Sequence, residues 1–126
     1  MYLQKALNEL INTGWHLDHP QPTNETEFNE RFSIQKGVSG QDAVMSNSPD
    51  DFGVTWAQVQ TKAAELEAAA PLELLREVRN ALLAETDWWA NSDLTMTQAQ
   101  QDYRQALRDI TDTYSSIDDV VWPTKP

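Results

Sequence analysis

Leu3, Ala6, Leu7, Leu10 and Ile11 recur at helical spacing and set one apolar stripe on a helix running from about Tyr2 to Thr13. Gly14, after Asn12-Thr13, suits the left-handed position that ends such a helix. The period then changes. Trp15-His16-Leu17-Asp18 alternates as a short strand does, and Pro20 and Pro22 impose a turn or an extended stretch. Glu25 to Arg31 reads as a short helix, with Asn24 as its cap and Phe28 and Phe32 on one face. Arg31 to Gln35 alternates again, Gly37 and Gly40 bracket a turn, and Asp42 to Met45 returns as a second strand, which makes a small sheet or hairpin. Ser46 to Asp51 is loop.

Beyond it the helical period dominates. Thr55-Trp56-Ala57-Gln58 is a capping box, followed by Trp56, Val59, Ala63 and Leu66 on one stripe and by Ala68 to Ala70. Pro71 lacks an amide and crowds the turn before it, so the spacing predicts a break or kink there and a new helix beginning at the proline. Leu72, Leu75, Val78 and Leu82 carry that helix to about Glu85. Asp87 to Met96 is a connector. Thr97-Gln98-Ala99-Gln100 is a second capping box, and Ala99, Tyr103, Ala106, Leu107 and Ile110 face a last helix ending near Thr111. Val120-Val121-Trp122-Pro123 belongs to an extended tail. The expected fold is mainly α with a small β element (α+β): an N-terminal helix and short hairpin, then a C-terminal antiparallel helix pair with a Trp-Pro tail. The expected division is a small α+β module over 1–53 and a helical region over 54–126.

Composition narrows the function. The 126 residues hold 20 acidic and 9 basic side chains, for a net charge of −11, and 40% hydrophobic residues, enough for one packed core. The charge is −5 over 1–53 (8 acids, 3 bases) and −6 over 54–126 (12 acids, 6 bases), with no charged tail. So acidic a charge argues against a nucleic-acid partner, because phosphate binding needs a basic patch. No apolar run approaches a membrane span, and no apolar signal-peptide core follows the N-terminus. The absence of cysteine excludes disulfides, thiolate metal sites and a cysteine nucleophile.

His16-Leu17-Asp18-His19 holds metal-ligating types, yet no third partner is marked and Pro20 follows directly, so no metal site is assigned. The adjacent pairs Asp50-Asp51 and Asp118-Asp119 read as solvated loop rather than as carboxylates tuned apart for acid-base work. Nucleophile-elbow and phosphate-loop motifs are absent, so the chain reads as a non-enzyme without cofactor. Four of the five arginines lie on the last two helices, Arg76 and Arg79, then Arg104 and Arg108. They suit ion pairs across the hairpin with Glu73, Asp87, Asp109 or Asp112, or a docking face for an acidic or carboxamide-rich partner. Trp88 and Trp89 are adjacent on a connector, where both rings seldom face inward, so one is a candidate partner anchor.

The ordered set Arg76-Glu-Val-Arg79-Asn80-Ala-Leu82-Leu83, Asp87-Trp88-Trp89, Tyr103-Arg104-Gln-Ala-Leu107-Arg108-Asp109-Ile110 and Val121-Trp122-Pro123 resembles the tail assembly chaperones of tailed bacteriophages, over about residues 72–126. It is similar as well to tail-fibre assembly proteins, which share Y-R-x-x-L followed by W-P. The chain departs from the pattern at Thr111 and at Tyr114-Ser115-Ser116, where proline and Phe-Pro are common in the family. The resemblance implies a non-enzymatic factor that binds a phage tail or tail-fibre polypeptide in the host cytoplasm during assembly, with Trp88, Trp89, Arg104, Arg108 and Trp122 as the expected contacts. It implies a structural role for Arg76, Arg79, Asn80, Asp87, Tyr103 and Pro123. A structural component of the tail fibre or baseplate, retained in the virion, is the alternative. A second copy of the chain also stays open as a partner.

Overall fold

The computed structural model describes residues 2–126. Its elements are α1 (Tyr2–Leu10), β1 (Trp15–Leu17), α2 (Glu25–Arg31), β2 (Phe32–Ser39), β3 (Asp42–Ser46), α3 (Trp56–Glu85), α4 (Gln98–Arg108) and the single turn α5 (Ile110–Thr113), with 3-10 turns at Pro49–Asp51 and Asp87–Ala90. The class is α+β, mainly helical, with one small antiparallel sheet in the order β1-β2-β3. Two compact units divide at Glu67/Ala68. Trp56, Val59, Ala63 and Leu66, on the first turns of α3, pack with the N-terminal core.

That core is aromatic. Asn24 accepts the Glu27 amide at 2.9 Å and starts α2, whose spacing then turns Phe28 inward beside Phe32 of β2. Phe28 stacks on Phe32 at 4.9 Å, and Phe52 meets Phe32 edge-on at 4.7 Å. Ala6 and Leu7 from α1, Leu17, Ile34, Val59 and Leu66 close around them. β2 and β3 are joined by the two-residue loop Gly40-Gln41, with Gly40 at φ +66, the left-handed backbone that a tight hairpin of this kind asks of glycine. Gly37 is not part of that turn; it sits in β2 next to a register shift that leaves Lys36 unmatched.

Three expectations are corrected. Helix α1 ends at Leu10, with a last helical bond from the Ile11 amide to the Leu7 carbonyl, rather than at Thr13. Gly14 does not adopt positive φ; its carbonyl accepts the Gln35 amide at 2.7 Å, and a Cβ there would meet the flexible end of the Gln35 side chain at Oε1 and lie tight against its Cβ. Pro71 does not end a helix: α3 runs unbroken from Trp56 to Glu85. The carbonyl deprived of an amide partner belongs to Glu67, on an exposed turn open to solvent, and the flanking alanines keep the helix favourable.

In the C-terminal unit the later turns of α3 pair with α4. Leu82 and Leu83 on one helix and Tyr103 and Leu107 on the other surround Trp89, with Met96 and Trp122 against them. The capping box at Thr97 is fully formed: Thr97 Oγ1 accepts the Gln100 amide at 3.2 Å and Gln100 Oε1 accepts the Thr97 amide at 3.0 Å. Leu75 and Ile110 are buried too. The tail returns to this unit, where the Ile117 amide donates to the Pro71 carbonyl at 3.2 Å.

Candidate functional site: the turn between α3 and α4

A helix ends by leaving its last carbonyls without amide partners. At the end of α3 those acceptors gather a specific set of donors. Thr86, fully buried, donates from Oγ1 to the Leu83 carbonyl at 3.2 Å. Arg104, reaching across from α4 and 8% exposed, donates from Nη1 to the same carbonyl at 2.9 Å and to Thr86 Oγ1 at 2.7 Å. Its Nη2 donates to Asp87 Oδ1 at 2.9 Å. The guanidinium thus caps α3, where a cation also opposes the negative end of the helix dipole, and ties the first residue of the following turn to α4. The Nε of Arg104 is buried without a partner.

This clamp fixes the turn Asp87–Ala90, and the turn separates its two tryptophans. Trp89 is 5% exposed and packs on Tyr103 at 6.1 Å between ring centres. Trp88 points outward with 58% of its surface exposed, its ring meeting that of Trp89 edge-on at 6.2 Å. Lys125 from the tail lies 5.9 Å over the Trp89 ring and pairs with Glu85 at 3.3 Å. Trp122 and Pro123 are half-buried, and Val121, which precedes them in the tail, is exposed.

The expected site residues therefore fall into two groups. Trp89 and Arg104 are interior and hold the turn; Trp88 and Arg108 are at the surface, and Trp122 lies between these extremes. Asp87 and Tyr103 stand in the clamp and its core. Arg79 donates from Nε to Asn80 Oδ1 at 2.7 Å, Arg108 donates to Gln105 Oε1 at 3.2 Å, and Arg76 is exposed. Among the described residues, Arg104–Asp87 is the one arginine–carboxylate pair formed between α4 and the end of α3. Thr86 and Lys125 also take part in this geometry. A small polar residue directly after an apolar helical stripe and before Asp-Trp is the signal that marks Thr86; Lys125 carried none.

Elsewhere, His16 Nε2 and Asp18 Oδ1 lie 2.9 Å apart on an exposed strand end, and no group of three or more potential metal ligands converges among the described residues. No described helix is long and apolar enough to cross a membrane.

Residues 72–126 match the model of the phage tail assembly chaperone protein family. The matched span nearly coincides with the compact C-terminal unit, Ala68–Pro126, and it confirms the resemblance read over the same residues. The match covers this unit and less than half of the chain. No curated protein and no solved structure matches the chain.

Proposed function

We propose that the chain is a non-catalytic chaperone that binds a phage tail or tail-fibre polypeptide in the host cytoplasm and aids its folding or assembly. Trp88, Arg108 and the half-buried Trp122 are the proposed contacts, with Trp89 and Arg104 ordering the turn that presents Trp88. One observation carries the reading: the family-matched span is a compact unit in which a buried arginine clamp holds a large aromatic ring out in solvent. A rigid, exposed tryptophan is a low-entropy anchor for a partner surface. Unassembled fibre chains expose apolar surface and strand edges that aggregate, and a chain of net charge −11 that covers such a surface keeps the complex soluble.

Co-expression with the tail-fibre and other tail proteins of the same phage tests this. Soluble partner only in the presence of this chain, with a co-eluting complex that W88A loses while keeping its helical circular dichroism, is the expected result. A partner equally soluble alone and no complex with any tail protein would overturn it. Peptides of this chain in purified particles would assign it instead to the virion.

A further inference from the structure

The sheet order leaves β3 with one open side. Folded proteins blunt such edges with lysine, proline, a bulge or a covering element. Strand β3, Asp42-Ala43-Val44-Met45-Ser46, has neither lysine nor proline; its one charge, Asp42, stands at its start, the extra residue of the bulge is in β2, and no backbone hydrogen bond outside the sheet involves Ala43, Val44 or Met45. Val44 and Met45 are each 42% exposed, and Val38 on β2 is 64% exposed. This hairpin holds three of the chain's exposed large apolar side chains.

Its hydrogen-bond phase follows from the loop. A two-residue hairpin closes on a hydrogen-bonded pair, here Ser39 and Asp42. Alternation then turns the amide and carbonyl of Asp42 and Val44 toward β2, and those of Ala43 and Met45 toward the open side. Two copies of β3 laid antiparallel about Val44 bring Ala43 of each opposite Met45 of the other, so that the outward groups meet as hydrogen-bonded pairs. Val44 then faces Val44, and Asp42 faces Ser46. The strand is complementary to itself in this register, as an isologous contact requires. Charge favours the same place. Residues 32–46 carry Lys36 and Asp42 and sum to zero, so the remainder of the chain holds the whole net charge of −11. The hairpin thus presents no local excess of like charge to a second copy.

We propose that β3 is a self-association edge that joins two copies of the chain into one six-stranded antiparallel sheet, with Val44 on the two-fold axis. A five-residue edge buries well under the roughly 1,600 Å² of a stable complex, so the dimer is weak and concentration-dependent.

Sedimentation of the full chain from about 10 µM to about 1 mM, the range of a weak interface, is expected to show the mean mass rising from one chain toward two. The sequence has no cysteine, so V44C and Q41C each introduce a single thiol. In the proposed register two Val44 positions are adjacent, whereas two Gln41 positions are about 20 Å apart. V44C should therefore form the covalent dimer at least about tenfold faster under mild oxidation. A43P removes an outward amide that β2 does not use; it should abolish the rise in mass with the far-ultraviolet circular dichroism unchanged. A single-chain mass throughout, or V44C cross-linking no faster than Q41C, overturns the proposal. The edge would then be open to a strand of another polypeptide.

Discussion

Replacing Arg104 by alanine removes the donor that ends α3. The guanidinium makes hydrogen bonds to the Leu83 carbonyl, Thr86 Oγ1 and Asp87 Oδ1, all within 2.9 Å. Bonds to a charged group are worth about 1.5–3 kcal/mol each. The sum is not recovered in full, because truncation also relieves the cost of burying a cation. Nor are the acceptors left stranded: the Leu83 carbonyl still receives the Thr86 amide at 3.1 Å and its hydroxyl at 3.2 Å, and Asp87 is largely exposed and rehydrates. The lost packing of the arginine stem and the cavity beside Tyr103 act in the other direction. The net expectation for R104A is a loss of about 2–3 kcal/mol, or roughly 10 °C in Tm, followed by urea and thermal unfolding read by tryptophan fluorescence and circular dichroism. T86V keeps the shape and leaves one buried Arg104 N–H without its acceptor, at about 1–2 kcal/mol. In the R104A background that N–H no longer exists, so T86V should cost at least about 1 kcal/mol less. R104A within about 0.5 kcal/mol of the native chain, or strictly additive variants, would refute the clamp.

Two further outcomes follow from the same structure. P71A should raise Tm: restoring the amide toward the Glu67 carbonyl gains up to about 3 kcal/mol in a helix interior, less about 1 kcal/mol because the unfolded chain becomes freer, and a lower Tm would mean that the proline relieves a crowded contact. In the N-terminal unit, the amide and hydroxyl of Thr23, with Arg31, hold the Glu27 carboxyl below its ordinary 4.5, and the Ser46 hydroxyl, with Lys36, holds that of Asp51 below its ordinary 3.8. Both folded values lie under the unfolded ones, so their stabilisation is present above those ordinary values and lost as pH falls through the folded ones. Acid titration of Tm should therefore be flatter in D51N, and equal slopes would sink this assignment.

Local chemistry was legible wherever one segment satisfies itself. Asn24 accepts from Glu27, Thr55 exchanges bonds with Gln58, and Thr97 with Gln100, so each start is written within four residues of chain. The two-residue loop at Gly40 fixes the hairpin in the same way. Helix ends were less legible because they depend on what meets them. Gly14 looks like a helix terminator, and what it meets is Gln35, twenty-one positions on. Pro71 carries a strong local veto, yet both of its flanks have packed faces, and a helix-breaking penalty of about 3 kcal/mol is smaller than the burial of side chains such as Leu66 and Leu75.

The same distinction explains the site. Asp87-Trp88-Trp89 announced a turn with one ring to spare, because two adjacent large side chains seldom both enter a core from a short turn, and here Trp89 is buried and Trp88 exposed. Arg104 was harder. An arginine on a polar helix is solvated in most settings, and its acceptors lie 17, 18 and 21 residues upstream. They become a binding site for a guanidinium only when α3 stops opposite α4. Yet its position held a clue: Arg104 lies next to Tyr103 and three before Leu107, so it borders the apolar stripe rather than opposing it. A cation at the margin of a buried stripe has two outcomes. It reaches water along its stem, or it finds a helix end. Two antiparallel helices joined by a short turn place the carboxyl end of the first beside the start of the second, and that arrangement supplies the end.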